Sequence, residues 1–129
     1  MIVDASALLA ILLNEPDGPA YRSAISGAET TSISPVNCLE VTMRLERIWP
    51  DAATGKLDAM IDAFAISVEA IDRPQLAIAQ DAFRRFGKGR HKAGLNIGDC
   101  FAYALAKSKG APLLFKGNDF IHTDLESAL

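Results

Sequence analysis

Four acidic residues, Asp4, Glu40, Asp99 and Asp119, stand where the chain passes between a strand-like and a helix-like pattern, or in the opening turns of a helix. Each has an ordinary structural role open to it. Asp4 can cap the helix that begins at Ala5, and Glu40 can pair with Arg44 one turn on. Asp99 can answer the positive end of a helix, and Asp119 can form an Asx turn. Gathered at one end of a parallel sheet, however, they would repel: two unit charges about 4 Å apart cost roughly 4 kcal/mol at an effective dielectric of 20. A divalent cation relieves that repulsion. Oxygen ligands favour Mg²⁺ or Mn²⁺ over Zn²⁺, and neither His91 nor His122 has a partner at metal-ligand spacing. An ion held by carboxylates with open positions suits phosphodiester hydrolysis, because it lowers the pKa of a bound water and polarises the phosphoryl oxygen.

Competing chemistries have less support. A phosphatase with a nucleophilic aspartate carries a second Asp two positions on, where this chain has Ser6. No G-x-S-x-G elbow, Walker A loop or glycine fingerprint follows the first strand.

The elements that must position the acids read in chain order. Met1-Ile2-Val3 is a short apolar strand, followed by a helix over Ala5 to Leu13 that Asn14-Glu15-Pro16-Asp17-Gly18 breaks. A second helix spans Pro19 to Ile25, and Thr30 to Ile33 is β-prone. Ser34-Pro35 opens a helix to Ile48, with Val36, Leu39 and Met43 as its apolar stripe. Residues 51 to 65 form an amphipathic helix that buries Leu57, Met60, Ile61 and Phe64, and Ile66 to Ile71 alternates like a half-buried or edge strand. Pro74 to Phe86 is helical, with Leu76, Ala79, Ala82 and Phe83 on one face.

The stretch Leu95 to Gly110 is one further helix. Asn96 is placed as its N-cap, Lys107 and Lys109 fall in the last turn, and Gly110 ends it in a left-handed conformation. Ala111 to Phe115 is a short buried strand, and Lys116 to Phe120 is a loop. Alternating strands and helices predict an α/β fold with a central, mostly parallel β-sheet flanked by helices. In such folds ligands gather beyond the carboxyl ends of the strands.

A chain of 129 residues is most simply one domain, 1–129, needing no disulfide. Cys38 and Cys100 lie apart in helical segments and suit a reduced, cytoplasmic protein. No segment reaches the length of a membrane span, and no basic region marks a signal peptide. The net charge of −3 gives no global attraction to nucleic acid. The run Arg84-Arg85-Phe86-Gly87-Lys88-Gly89-Arg90-His91-Lys92 is the local exception, either as phosphate contacts or as a solvated loop.

With these residues in place the sequence closely resembles the PIN-domain ribonucleases, specifically the VapC-type toxins of toxin–antitoxin pairs. The resemblance covers essentially the whole chain. It rests on Met1-Ile2-Val3-Asp4-Ala5-Ser6, Glu40, Leu95-Asn96-Ile97-Gly98-Asp99-Cys100-Phe101-Ala102-Tyr103-Ala104, and Leu114-Phe115-Lys116-Gly117-Asn118-Asp119-Phe120. It implies that Asp4, Glu40, Asp99 and Asp119 form a pocket for Mg²⁺, with Mn²⁺ as a substitute, where RNA is cleaved endonucleolytically by a metal-activated water. It also implies a cognate VapB-type antitoxin and a homodimer. Ser6 matches a family hydroxyl beside the first aspartate, and Gly117 stands where many relatives carry a second acid. The alternative is a non-catalytic PIN-like module that binds RNA or protein through the same acids.

Overall fold

The computed structural model describes residues Met1–Leu129. Its layers follow from two-residue strands whose successive side chains point to opposite faces, both of them apolar in the two strands Ile2–Val3 and Leu113–Leu114. Strands β1 (Ile2–Val3), β2 (Ser32–Ile33), β3 (Ser67–Val68) and β4 (Leu113–Leu114) form one sheet in the order β3-β2-β1-β4. All three pairings are parallel, with Ile2 opposite both Ser32 and Leu113. On one face Val3, Ile33 and Leu114 pack with α1 (Ala5–Leu12), α2 (Gly18–Gly27), α3 (Pro35–Glu46) and α4 (Ala53–Ala63). On the other, Ile2 and Leu113 pack with α5 (Arg73–Phe86) and α6 (Ile97–Lys109). The expected parallel α/β architecture is therefore present. The strand order reverses between β1 and β4, and a crevice at that point is where an open parallel sheet places a ligand.

Two expectations are corrected. The stripe Val36, Leu39 and Met43 does not face the core: Leu39 is 58% and Met43 61% exposed, while Asn37, Val41 and Leu45 are buried. The Ser34 cap and Pro35 set the helix so that the row 37, 41, 45 turns inward, and a polar residue occupies its first position. In α5, Leu76 and Phe83 are likewise partly exposed, and Gln75, Ala79, Ala82 and Phe86 are the buried side.

The C-terminal segment, unassigned by pattern, covers the outer edge of β4. Leu113 N–H donates to the Glu126 carbonyl, and Ala128 N–H donates to that of Leu113. Asp124 fastens this segment to the helices by accepting from Tyr103 Oη at 2.7 Å and pairing with Lys107 at 2.8 Å. Those hydrogen bonds outweigh the opposing effect of burial and hold the Asp124 carboxyl down at about 2.

Candidate active site

Asp4 leaves β1 at the crevice and is the N-cap of α1. Its Oδ2 accepts from Ser6 N–H at 3.0 Å and from Ser6 Oγ at 2.6 Å. Ser6 Oγ in turn accepts from the backbone N–H of Lys116 at 2.9 Å, which ties the loop after β4 to the end of β1. Lys116 Nζ is itself held by Glu15 and Asp17 in the turn between α1 and α2.

Asp99 sits in the first turn of α6 and forms a reciprocal capping box. Asn96 Oδ1 accepts from Asp99 N–H at 2.9 Å, and Asp99 Oδ2 accepts from Asn96 N–H at 3.1 Å. One carboxylate oxygen is thereby fixed by the helix end. Gly110 closes the same helix with φ 58°, as its sequence position indicates.

Glu40 does not pair with Arg44, since neither residue takes part in any of the ion pairs of the structure. It turns inward instead, and its Oε1 accepts from Asn37 Nδ2 at 2.7 Å. The same Nδ2 lies 3.4 Å from Asp4 Oδ1 and 3.1 Å from the Gly98 carbonyl oxygen. Asn37 thus joins the segments carrying Asp4, Glu40 and Asp99, a role that pattern reading missed. The available signal was its position three residues before Glu40, on the same helical face.

Asp119 is exposed, between Gly117 (φ 103°) and the short 3₁₀ helix Phe120–His122, and its side chain makes no cap or Asx bond. Glycine suits the backbone at 117, which an acidic side chain would strain.

The four acids lie near enough for their charges to act on one another. Asp4 is only 5% and Asp99 8% exposed. Burial pushes the Asp99 carboxyl up to about 7, against the lowering effect of the Asn96 N–H, and the charges of Asp4, Asp119 and Glu40 raise it further. Burial also raises the Asp4 carboxyl, opposed by Ser6 and reinforced by Asp119. Glu40 is raised by burial and by Asp4, with the Asn37 hydrogen bond opposing. As they stand the acids are gathered without being closed on a point, since no three His, Cys, Asp or Glu side chains are arranged to grip one ion. Asn37 Oδ1 is buried with no hydrogen-bond partner. An all-oxygen set of mutually repelling carboxylates fits a hydrated, oxygen-seeking cation such as Mg²⁺ or Mn²⁺.

The basic run leads straight into this helix. Lys88 N–H donates to the Leu95 carbonyl and Leu95 N–H to that of Phe86, pinching the segment into a loop. His91 is structural: its Nδ1 accepts from Ala93 N–H at 3.1 Å, and its ring packs edge-on against Phe86. Arg85 is committed to Asp81 and Asp124. Arg84, Lys88, Arg90 and Lys92 are exposed and form none of the ion pairs.

A four-stranded parallel sheet with carboxylates at its point of reversal is the arrangement of a PIN domain. The profile of that family, described as PIN domain, matches residues 1–126, and the chain belongs to it, within the VapC group. It is 42% identical over 125 residues to VapC ribonuclease Mb0640 of Mycobacterium bovis, covering 97% of this chain and 95% of that protein. To Ribonuclease VapC of Mycolicibacterium smegmatis it is again 42% identical over 125 residues, covering 97% of both chains. The crystal structure of Mycobacterium tuberculosis VapC20, a sarcin-ricin loop cleaving toxin, superposes with a TM-score of 0.77. That match covers 96% of this chain and 95% of the other at 18% identity, and so supports the fold alone. No helix here is long and apolar enough to cross a membrane.

Proposed function

We propose that this protein is a Mg²⁺- or Mn²⁺-dependent endoribonuclease, the toxin of a VapBC-type module. The observation that carries the reading is the convergence of Asp4, Glu40 and the first turn of the helix carrying Asp99 on one buried amide, with the Asp119 charge felt at Asp4 and Asp99. Asp4 and Asp99 are the firmest holders of the cation, since Ser6 and Asn96 fix one oxygen of each, leaving the other oxygen of Asp99 free and that of Asp4 with only the 3.4 Å contact to Asn37. Glu40 and Asp119 complete the set. When bound, such a cation supplies an activated water and offsets charge at the phosphoryl group.

The chain's own residues do the rest. Ser6 keeps Asp4 oriented and anchors the loop carrying Asp119. Arg84, Lys88, Arg90 and Lys92 offer phosphate contacts along the loop that enters α6, and Arg44 and Arg47, which share a cleft with Glu40, add cations on the other side. The test is Asp99→Asn. We expect loss of growth inhibition and of RNA cleavage with the fold intact; cleavage at the wild-type rate would refute the mechanism.

The open arrangement of the acids favours one rival, a non-catalytic PIN-like module that binds RNA or protein. RNA that stays intact across a Mg²⁺ and Mn²⁺ series, with antitoxin removed, would select it. For partners, we infer an RNA substrate, a VapB-type antitoxin and a homodimer. Dimerisation is supported by two apolar surfaces left uncovered: Leu39 and Met43 on α3, and the groove between α5 and α6 bordered by Leu76, Phe83 and Ile97.

A further inference from the structure

We propose that Asn37 is a positioning residue that seats Glu40 inside the acidic pocket, against Gly98, and that without it Glu40 turns outward to Arg44. This rests on the metal-dependent reading above for its consequence, though not for its geometry.

The residue is out of place by ordinary packing rules. Asn37 is 0% exposed and heads the buried row that Val41 and Leu45 continue, where an apolar side chain would fill the space without polar cost. Its Nδ2 carries two hydrogens and meets three acceptors: Glu40 Oε1 at 2.7 Å, the Gly98 carbonyl at 3.1 Å and Asp4 Oδ1 at 3.4 Å. The two shorter contacts pin Glu40 to the first turn of α6. Only one orientation of the amide works, because the flipped form would set its oxygen against three other acceptors.

Gly98 is the other half of the seat. A Cβ there would stand 2.1 Å from Glu40 Oε1 and 2.2 Å from Oε2, so the carboxylate occupies the space that glycine leaves. The competing pose is equally concrete. Arg44 lies four residues on, on the same helix, with no ion-pair partner of its own, and it lines a cleft with Glu40 and Arg47. A hydrogen bond to a charged acceptor in a buried setting outweighs an exposed i,i+4 pair, so Asn37 decides which pose Glu40 takes.

The experiment is a double-mutant cycle, Asn37→Ala with Glu40→Gln, read by single-turnover RNA cleavage and by the Mn²⁺-induced rise in melting temperature. A metal-free crystal structure of Asn37→Ala accompanies it. Asn37→Ala should slow cleavage at least tenfold and shrink the Mn²⁺ response, yet change cleavage less than twofold when Glu40 is already Gln. The crystal structure should show the Glu40 carboxylate off Gly98 and directed at Arg44. Equal losses in both backgrounds, or Glu40 still seated on Gly98, would overturn the proposal. Should Asn37→Ala not fold, Gly98→Ala displaces the same carboxylate from the opposite side and is held to the same outcomes. If the wild type neither cleaves RNA nor responds to Mn²⁺, the functional reading fails, and the Glu40 position in the metal-free crystal still decides this one.

Discussion

Replacing Asp99 with Asn should stabilise the metal-free protein at alkaline pH while abolishing its activity. Burial and three neighbouring acids push the Asp99 carboxyl up to about 7 from an ordinary 3.8. The folded state therefore binds this proton more tightly than the unfolded state does. The stability it contributes is fully present below pH 3.8, declines as pH rises toward 7, and is gone above that. A shift of that size corresponds to about 4 kcal/mol, and because the pocket is partly open to solvent the realised figure should fall at roughly 2–4 kcal/mol. Asn at this position cannot ionise but keeps an oxygen to accept from Asn96 N–H, so the capping box survives. Urea denaturation in EDTA at a series of pH values measures the difference. Asp99→Asn should exceed wild type by that amount at pH 8 and match it near pH 4. Adding Mn²⁺ at pH 8 should raise wild type by more than it raises the variant. A variant that is less stable at pH 8, or a difference that does not change with pH, would show that Asp99 is not the repelled carboxylate described here.

Other regions carry their own expectations. In the non-cleaving Asp99→Asn background, replacing Arg84, Lys88 and Arg90 with Ala should lower the salt slope of single-stranded RNA binding by about 2, measured by filter binding, since each phosphate contact contributes roughly 0.7. Arg85→Ala should leave that slope unchanged, because Arg85 is paired with Asp81 and Asp124. Tyr103→Phe removes the 2.7 Å hydrogen bond to Asp124 and should cost about 1–2 kcal/mol in chemical denaturation, with RNA cleavage retained. Leu39→Glu with Met43→Glu should convert a dimer to a monomer in sedimentation, without loss of secondary structure.

What the sequence disclosed was what local chemistry dictates. Asn96 and Asp99 announce the start of α6 and Gly110 its end, and the structure confirms all three. The parallel α/β order followed from alternating patterns. The strands themselves shrink to residue pairs, because only Ile2–Val3 and its neighbours enter the hydrogen-bonded ladder.

Misreadings arose where a tertiary contact overrode a local rule. Hydrophobic periodicity gives α3 the wrong phase because Asn37 takes a buried position that such a pattern reserves for apolar residues. The Glu40–Arg44 pairing failed for the same reason, since a buried amide offered Glu40 a stronger partner. The tail covering β4 has no periodicity to read, its order coming from Asp124 and two backbone hydrogen bonds.

The central claim is that Asp4, Glu40, Asp99 and Asp119 hold a divalent cation. Titrating Mn²⁺ into metal-free protein at pH 7 by calorimetry, in two buffers of different ionisation enthalpy, tests it most directly. Wild type should bind with release of protons, since burial raises the carboxyls that must ionise to hold the ion, and Asp99→Asn should bind at least tenfold more weakly with a smaller release. Equal affinity in the two proteins, or no binding by wild type, would contradict it.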